Sequence, residues 1–339
     1  MQTSGPLAAI EDPQLSARRI FSLIASEMAE VEAEFERQAQ SNIQVIAYIS
    51  DYLRASGGKR VRPALTILSN YAVGGDGSRY NSIRMAAVME FLHTATLVHD
   101  DIIDNAETRR NRPSINARFG NQTAVLMGDW LYMSAFETSL AERSLPILDI
   151  LTAATRKMTE GELLQLTLLG RTDITEEEYL AILQHKTAYL FSACCEIGAI
   201  LGGADSVGQA ALREYGMNLG TAFQLVDDLL DFTASDEVLG KPAGVDLLEG
   251  KLTLPLIYLL ESDGGARAAV QTVMREGSYQ KATRESLLER VERTGALDRA
   301  RERASHYAET ARDALATLPS SNYADALHSI PSYIIERDR

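Results

Sequence analysis

Apolar residues recur at helical spacing along almost the whole chain, and that pattern excludes most folds. From Leu15 onward they fall three and four apart, the period of one helix face. Ile20, Leu23, Ile24 and Met28 make one stripe; Ile43, Ile46, Ile49 and Leu53 make another. The sequence shows no alternating apolar segments joined by hairpin turns, the mark of a sheet. Helices are expected near 63–71, from Asn81 into an acidic segment at Asp100, over 123–142 and over 146–169. The capping box Thr175-Glu176-Glu177-Glu178 opens a further helix that runs to Gly202-Gly203. Another spans 206–231, and four shorter helical segments fill the rest. The breaks are a turn at Ser56-Gly57-Gly58, a loop over 105–122 and a Gly-rich loop over 233–252. No shift in composition marks a boundary. The expectation is a single all-α domain over 15–339, behind a flexible arm at 1–14.

Charge narrows the function. The net charge is -14, which argues against nucleic acid as a general partner and makes local basic clusters informative. The two cysteines, Cys194 and Cys195, are adjacent. Neighbours on a helix point about 100° apart, and the pair lacks zinc or disulfide spacing. They are expected as buried apolar residues in a reducing cytoplasm. No basic stretch followed by a long apolar run opens the chain, so no signal peptide is expected. No run reaches the ~20 apolar residues of a membrane span. The best candidate, Leu190 to Leu201, is interrupted by Glu196.

Two acidic motifs carry the chemistry. HDDIID holds Asp100, Asp101 and Asp104; QLVDDLLD holds Asp227, Asp228 and Asp231. Residues four apart on a helix share a face. Asp100 and Asp104 therefore present paired carboxylates, and so do Asp227 and Asp231. Such pairs destabilise a helix, most of all at its C-terminus, unless a cation offsets them. Oxygen-only donors suit Mg²⁺, which keeps waters and takes its other ligands from substrate phosphates. A solvated acidic face is the plain alternative. The apolar residues just upstream of each copy, Phe91, Leu92, Leu97 and Val98 in one and Phe223, Leu225 and Val226 in the other, weigh against it. Thr94-Ala95 and Thr221-Ala222 stand at the same offset before the two motifs, as if two similar helix ends faced one cavity.

Cations accompany these motifs. Gly57-Gly58-Lys59-Arg60-Val61-Arg62-Pro63 places Lys59 and Arg62 at the start of a helix, an anion-binding position. No phosphate-loop frame of the GxxxxGK[ST] type exists. Arg109 and Arg110 follow the first motif, and Arg grips phosphate oxygens in bidentate fashion. Lys186-Thr187 lies inside a helix; Lys241 and Lys251 lie on the Gly-rich loop after the second motif. Two carboxylate clusters and several cations in an apolar helical protein are equipment for two diphosphates.

At this point the chain resembles the trans-isoprenyl diphosphate synthase family. The matching motifs are DDIID followed by Arg109-Arg110, GGKRVRP, QLVDDLLD, and GKPAGVDLLEGKLTLP from Gly240 to Pro255. Within the family, EFLHTATLVHDDIID and the ending ERDR look most like octaprenyl and related long-chain synthases. The resemblance covers about Leu15 to the C-terminus. It implies a helical bundle around a deep central cavity, a homodimer, and about three Mg²⁺ ions per site with substrate bound. It implies that Lys59, Arg62, His93 and Arg110 bind isopentenyl diphosphate. It implies that Asp100 and Asp104, with Asp227 opposite, hold the ions, supported by Asp101, Asp228 and Asp231. Arg109, Lys186, Thr187, Gln224, Lys241 and Lys251 are then contacts of the allylic diphosphate. Asn111-Arg112 stands where the family usually has Gly-Lys, which keeps the charge. The reaction implied is ionisation of the allylic C–O bond, attack on the cation by the double bond of isopentenyl diphosphate, and loss of a proton to the released diphosphate. Water must be kept out.

A product near C40 is expected. One helical turn rises 5.4 Å, similar to one isoprene unit, so residues one turn before Asp100 decide whether a growing chain passes. Those residues, Ala95 and Thr96, are small, whereas short-chain members carry a bulky aromatic there. Further along lie Leu92 and Met89, and Tyr132 or Phe136 on a facing helix is the expected floor. A C15–C20 product is the alternative. A class I terpene cyclase or a squalene-type synthase would lack the Lys59/Arg62 segment, and a non-catalytic subunit would have damaged aspartate motifs.

Overall fold

The computed structural model of the chain describes residues 13–55, 58–75, 79–109, 112–233 and 243–336. Among them the structure is helical, apart from a two-residue antiparallel ladder, β1 (Thr108–Arg109) with β2 (Arg112–Pro113). The all-α expectation holds. The first half comprises α1 (Pro13–Ser22), α2 (Ala25–Gln38), α3 (Gln44–Ala55), α4 (Val61–Ala72), α5 (Arg79–Ile103), α6 (Ile115–Phe119), α7 (Asn121–Ser139) and α8 (Leu145–Leu168). The helix expected after Thr175 is two, α9 (Glu176–Leu183) and α10 (Tyr189–Leu201), joined without a break by a wide π-helical turn, Gln184–Ala188. The capping box at Thr175 and Glu178 forms as read. Next comes α11 (Ser206–Thr233).

Two short helices lie inside segments expected as loops: α6, capped by the Ser114 hydroxyl, and α12 (Val245–Leu248). Each is too short to show a period. The remaining chain forms five α-helices rather than four, α13 (Leu254–Ser262), α14 (Arg267–Glu276), α15 (Arg284–Arg293), α16 (Ala296–Ala314) and α17 (Asn322–Ile335). The link between α15 and α16 is so tight that the periods run together. Gly295 makes it, at φ 72°, a conformation glycine adopts freely.

The core explains where the acidic motifs sit. From Met85 to Leu92 every residue of α5 is buried. A helix apolar on all sides must be surrounded, and α5 is flanked by α2, α4, α7 and α10. Phe35 of α2 stacks on Phe91 at 4.3 Å between ring centroids. On the next side α10 packs between α4 and α11. There α11 carries glycines: a Cβ at Gly216 would lie 2.6 Å from the Phe191 carbonyl oxygen, and one at Gly220 2.6 Å from Ala188 Cα. The two helices therefore meet backbone to backbone. The C-terminal ends of the two longest helices, α5 and α11, emerge from this packing onto one cavity, each bearing an aspartate motif. No helix among the described residues is long and apolar enough to cross a membrane.

Candidate active site

A cavity of about 940 Å³ opens between those helix ends, closed by the start of α4, the later turns of α8, α9 and residues 250–253. On α5, His93, Thr96, Leu97 and Asp100 line it, the i, i+3, i+4, i+7 face of one helix. On α11 the lining residues are Phe223, Gln224, Asp227 and Asp228. Lys59, Arg62, Tyr132, Lys186, Thr187 and Lys251 complete the set of expected site residues on the wall.

The three aspartates of the first motif have three environments. Asp100 faces the cavity, and no hydrogen bond or ion pair reaches its carboxylate among the described residues. Burial, and next the nearby Glu162 carboxylate, push its pKa up to about 7, against the pull of Lys186. Asp101 points to the other side, 3% exposed, where Arg109 donates to it from Nε and Nη2 at 2.7 Å. Asp104 stands one residue beyond α5, with Lys251 Nζ at 3.4 Å.

The second motif is ordered by a relay. Thr187 Oγ1 donates to Gln224 Oε1 at 2.8 Å, and Gln224 Nε2 donates to Asp228 at 2.8 Å. Tyr179 Oη donates to the other oxygen of Asp228 at 2.7 Å. Burial raises the Asp228 pKa to about 6, although these donors oppose it. Asp227 stands beside it on the wall. Asp231 is turned inward, 4% exposed; its carboxylate accepts the Asp246 N–H at 3.2 Å and its carbonyl the Gly244 N–H at 2.6 Å.

At the start of α4, Arg60 is left-handed, φ 49°. Its guanidinium is tied to Glu32 at 2.6 Å and to Glu90. Lys59 and Arg62, on either side, reach the cavity, with Arg62 4.9 Å from the Phe191 ring centroid. On the far wall Lys186 Nζ lies 2.9 Å from both Glu162 and Gln165. Lys251 is held by Glu249 at 2.7 Å and by Asp104; burial opposes its charge, but these carboxylates keep its pKa above the ordinary value.

Two carboxylate-bearing helix ends facing one cavity, with cations at both sides, match what is known by comparison. The family model described as Polyprenyl synthetase matches residues 43–291, well over half of the chain. The chain belongs to the polyprenyl synthetase family. It is a prenyltransferase. Octaprenyl diphosphate synthase of Escherichia coli (strain K12) is 39% identical over 326 residues, 96% of this chain and all of that one. A short chain isoprenyl diphosphate synthase of Methanothermobacter thermautotrophicus is 37% identical over 92% of this chain and 96% of its own. The crystal structure of a polyprenyl synthase from Caulobacter crescentus CB15, complexed with calcium and isoprenyl diphosphate, is similar with a TM-score of 0.89 and 36% identity, covering 95% of this chain and 98% of that chain.

Not every expected residue of this synthase reaches the wall. Arg110 and Lys241 lie outside the described residues, as does most of the arm at 1–14. Asp101, Asp231 and Arg109 are placed behind the lining, and Asp104, just past the end of α5, is not part of it either. Ala95, Leu92 and Met89 are fully buried in the core, and Phe136 is half-buried against it. The reason is the turn of α5: with 93, 96 and 100 facing the cavity, Ala95 is rotated by about 100° from Thr96. Tyr179, Glu162 and Gln165 line the cavity without having been singled out in the sequence. Their signal is tertiary, because each acts on a residue far away in the chain.

The donor set fits a hard divalent cation. Among the described residues no three His, Cys, Asp or Glu side chains are grouped closely enough to hold an ion alone. An ion held by one or two carboxylates, with water and diphosphate filling the other positions, needs no such group and is the habit of Mg²⁺. Asp100, half-buried on the wall and with no ion pair among the described residues, leaves a carboxylate open to such an ion.

Proposed function

We propose that this synthase adds isopentenyl diphosphate head-to-tail to an allylic prenyl diphosphate, giving an all-trans product near C40. One observation carries the reading: a single cavity joins Lys59 and Arg62, two facing aspartate motifs and an apolar wall. Lys59, Arg62 and His93, with Arg110, take the isopentenyl diphosphate. Asp100 and Asp104 on one side and Asp227 and Asp228 on the other hold Mg²⁺, which when bound stabilises charge on a departing diphosphate. Lys186 and Lys251, with Lys241, add positive charge to the same group. Thr187 and Gln224 hold Asp228 in place, and Arg109 holds Asp101. Phe223, Leu97 and Leu183 exclude water from the reacting carbons.

Product length is supported by what lines the path. Thr96, one turn before Asp100, is small. Leu163, Leu166 and Leu169 give the cavity an apolar wall that is still 59%, 46% and 39% exposed, a surface a long isoprenoid chain can cover. The similarity to an octaprenyl synthase points the same way; the comparable similarity to a short-chain synthase keeps C15–C20 as the second reading. Mass analysis of the product from farnesyl diphosphate, isopentenyl diphosphate and Mg²⁺ decides. A main product no longer than C20 overturns the long-chain reading, and Thr96→Phe is expected to shift the wild-type product towards that range.

A homodimer is supported by one face of α7 and the turn that follows it. Leu126 and Met133 on the helix and Leu140 just past its end stand seven apart and are 68%, 62% and 47% exposed. A seven-residue apolar repeat is the pattern of a helix that packs on another helix. Sedimentation equilibrium tests it, with a monomer of about 37 kDa as the contrary result. A cytoplasmic location is supported by Cys194 and Cys195, both free and fully buried.

A further inference from the structure

Lys186 enters the cavity from the π-helical turn Gln184–Ala188, where Tyr189 N–H reaches back to the Gln184 carbonyl. Such turns give up regular helical bonding and recur where a side chain must be aimed. α8 crosses directly over this turn. The crossing point is Gly161, where a Cβ would lie 2.8 Å from His185 Cβ and 2.9 Å from both Lys186 Cγ and Lys186 N. Glu162, the next residue, pairs with the Lys186 ammonium at 2.9 Å. Gln165, three residues on and on the same face, accepts from it at 2.9 Å.

The consequence concerns Asp100. Its carboxylate, Glu162 and Lys186 all line the same cavity wall. An unrestrained ammonium beside a half-buried, unpaired carboxylate would pair with it, as Lys251 does with Asp104. Lys186 does not, because Glu162 and Gln165 hold it at α8.

We infer that Gly161, Glu162 and Gln165 form a clamp that positions Lys186, holding its ammonium off Asp100 and aimed at the diphosphate. The carboxylate stays open to a cation, and the ammonium stays available to an anion. These three are positioning residues; they act through Lys186. The inference rests on the reading of Lys186 as a diphosphate contact.

A double-mutant cycle separates the clamp from a general structural role. Glu162→Gln and Lys186→Ala are made singly and together. Calorimetry measures binding of inorganic pyrophosphate in Mg²⁺, and steady-state kinetics give kcat and the KM of each substrate. Glu162→Gln is expected to weaken pyrophosphate binding and raise the allylic KM by about tenfold, the size of one charge-assisted contact. The isopentenyl KM should stay within about twofold, because Lys59 and Arg62 are untouched. In the Lys186→Ala background the same change should add less than about twofold. An effect of equal size with and without Lys186 overturns the clamp, as does an equal rise in both KM values. Lys186→Ala without effect on pyrophosphate overturns the reading of Lys186 and the clamp with it. Lys186→Ala effective but Glu162→Gln silent overturns the clamp alone. If Glu162→Gln folds poorly, Gln165→Met removes the acceptor without touching charge and should reproduce the allylic-specific rise at about threefold; no rise there overturns the proposal.

Discussion

The two aspartate motifs are nearly the same in sequence and different in place. In the first, the residue buried behind the wall is the second aspartate, Asp101. In the second it is the last, Asp231. The cause is where each helix stops. α5 ends at Ile103, and Asn105 at φ 51° turns the chain back, so that Arg109 returns to Asp101 and Asp104 is left beside Lys251. α11 continues to Thr233, so Asp231 stays helical and accepts N–H groups from the chain that follows. Equal spacing thus gives each motif one buried brace, but at different positions. The carboxylates on the cavity wall are Asp100 of the first motif and Asp227 with Asp228 of the second; Asp104 stands off the wall against Lys251.

That comparison is easiest to break at its strongest point. Asp100→Asn and Asp227→Asn should each lower kcat by at least about 10²-fold, the scale of losing one element of transition-state charge stabilisation. Circular dichroism should still show a folded helical protein, since both carboxylates line the cavity rather than the core. Near-normal kcat at saturating Mg²⁺ in either variant would falsify the metal assignment of that residue.

Lys59→Ala and Arg62→Ala probe a wall that serves neither motif. Each removes a charge-assisted contact of about 1.5–3 kcal/mol, so the isopentenyl KM should rise by about 10- to 100-fold. The assignment is lost if the allylic KM rises and the isopentenyl KM does not.

The braces should behave in the opposite sense to the wall. Asp101→Asn loses the ionic contact to Arg109 and should cost about 1.5–3 kcal/mol of stability, visible as a lower denaturation midpoint. Its kcat should fall by less than that of Asp100→Asn. The same order is expected for Asp231→Asn against Asp227→Asn. Were Asp101→Asn the more damaging to turnover and harmless to stability, the division into braces and ligands would be wrong.

The smallest effect is at Tyr179, which donates to Asp228 and has no counterpart at the first motif. Tyr179→Phe removes one hydrogen bond to a carboxylate while keeping the ring in the core. A loss of several-fold in kcat/KM for the allylic substrate is expected, on the order of 1 kcal/mol. No change would mean that Gln224 alone holds Asp228.

Much of this was legible without coordinates. The helical class follows from apolar spacing, because a helix that buries one face must repeat apolar residues at its own period. The two carboxylate clusters follow from aspartates repeated at two helix ends, because a repulsion written twice into a sequence calls for a cation; the i, i+4 partners themselves, Asp104 and Asp231, do not reach the wall. The cations on the cavity wall, Lys59, Arg62, Lys186 and Lys251, follow from basic residues beside those clusters in an acidic chain. Local pattern reaches that far because these signals are separations of a few residues along one helix.

What lies behind the wall was decided elsewhere. That Asp101 meets Arg109 and Asp104 meets Lys251 depends on the turn after Ile103. Whether Ala95 or Thr96 meets the growing chain depends on the rotation of α5 against α7, and one residue of difference turns a side chain through about 100°. Tyr179, Glu162 and Gln165 gain their roles from partners 49, 24 and 21 residues away in sequence, so no motif announces them. The close approach that creates those contacts comes from glycines, Gly161 against the π-turn and Gly216 and Gly220 against α10. A glycine in a sequence says only that a side chain is absent; what comes to occupy the space is a property of the packed molecule.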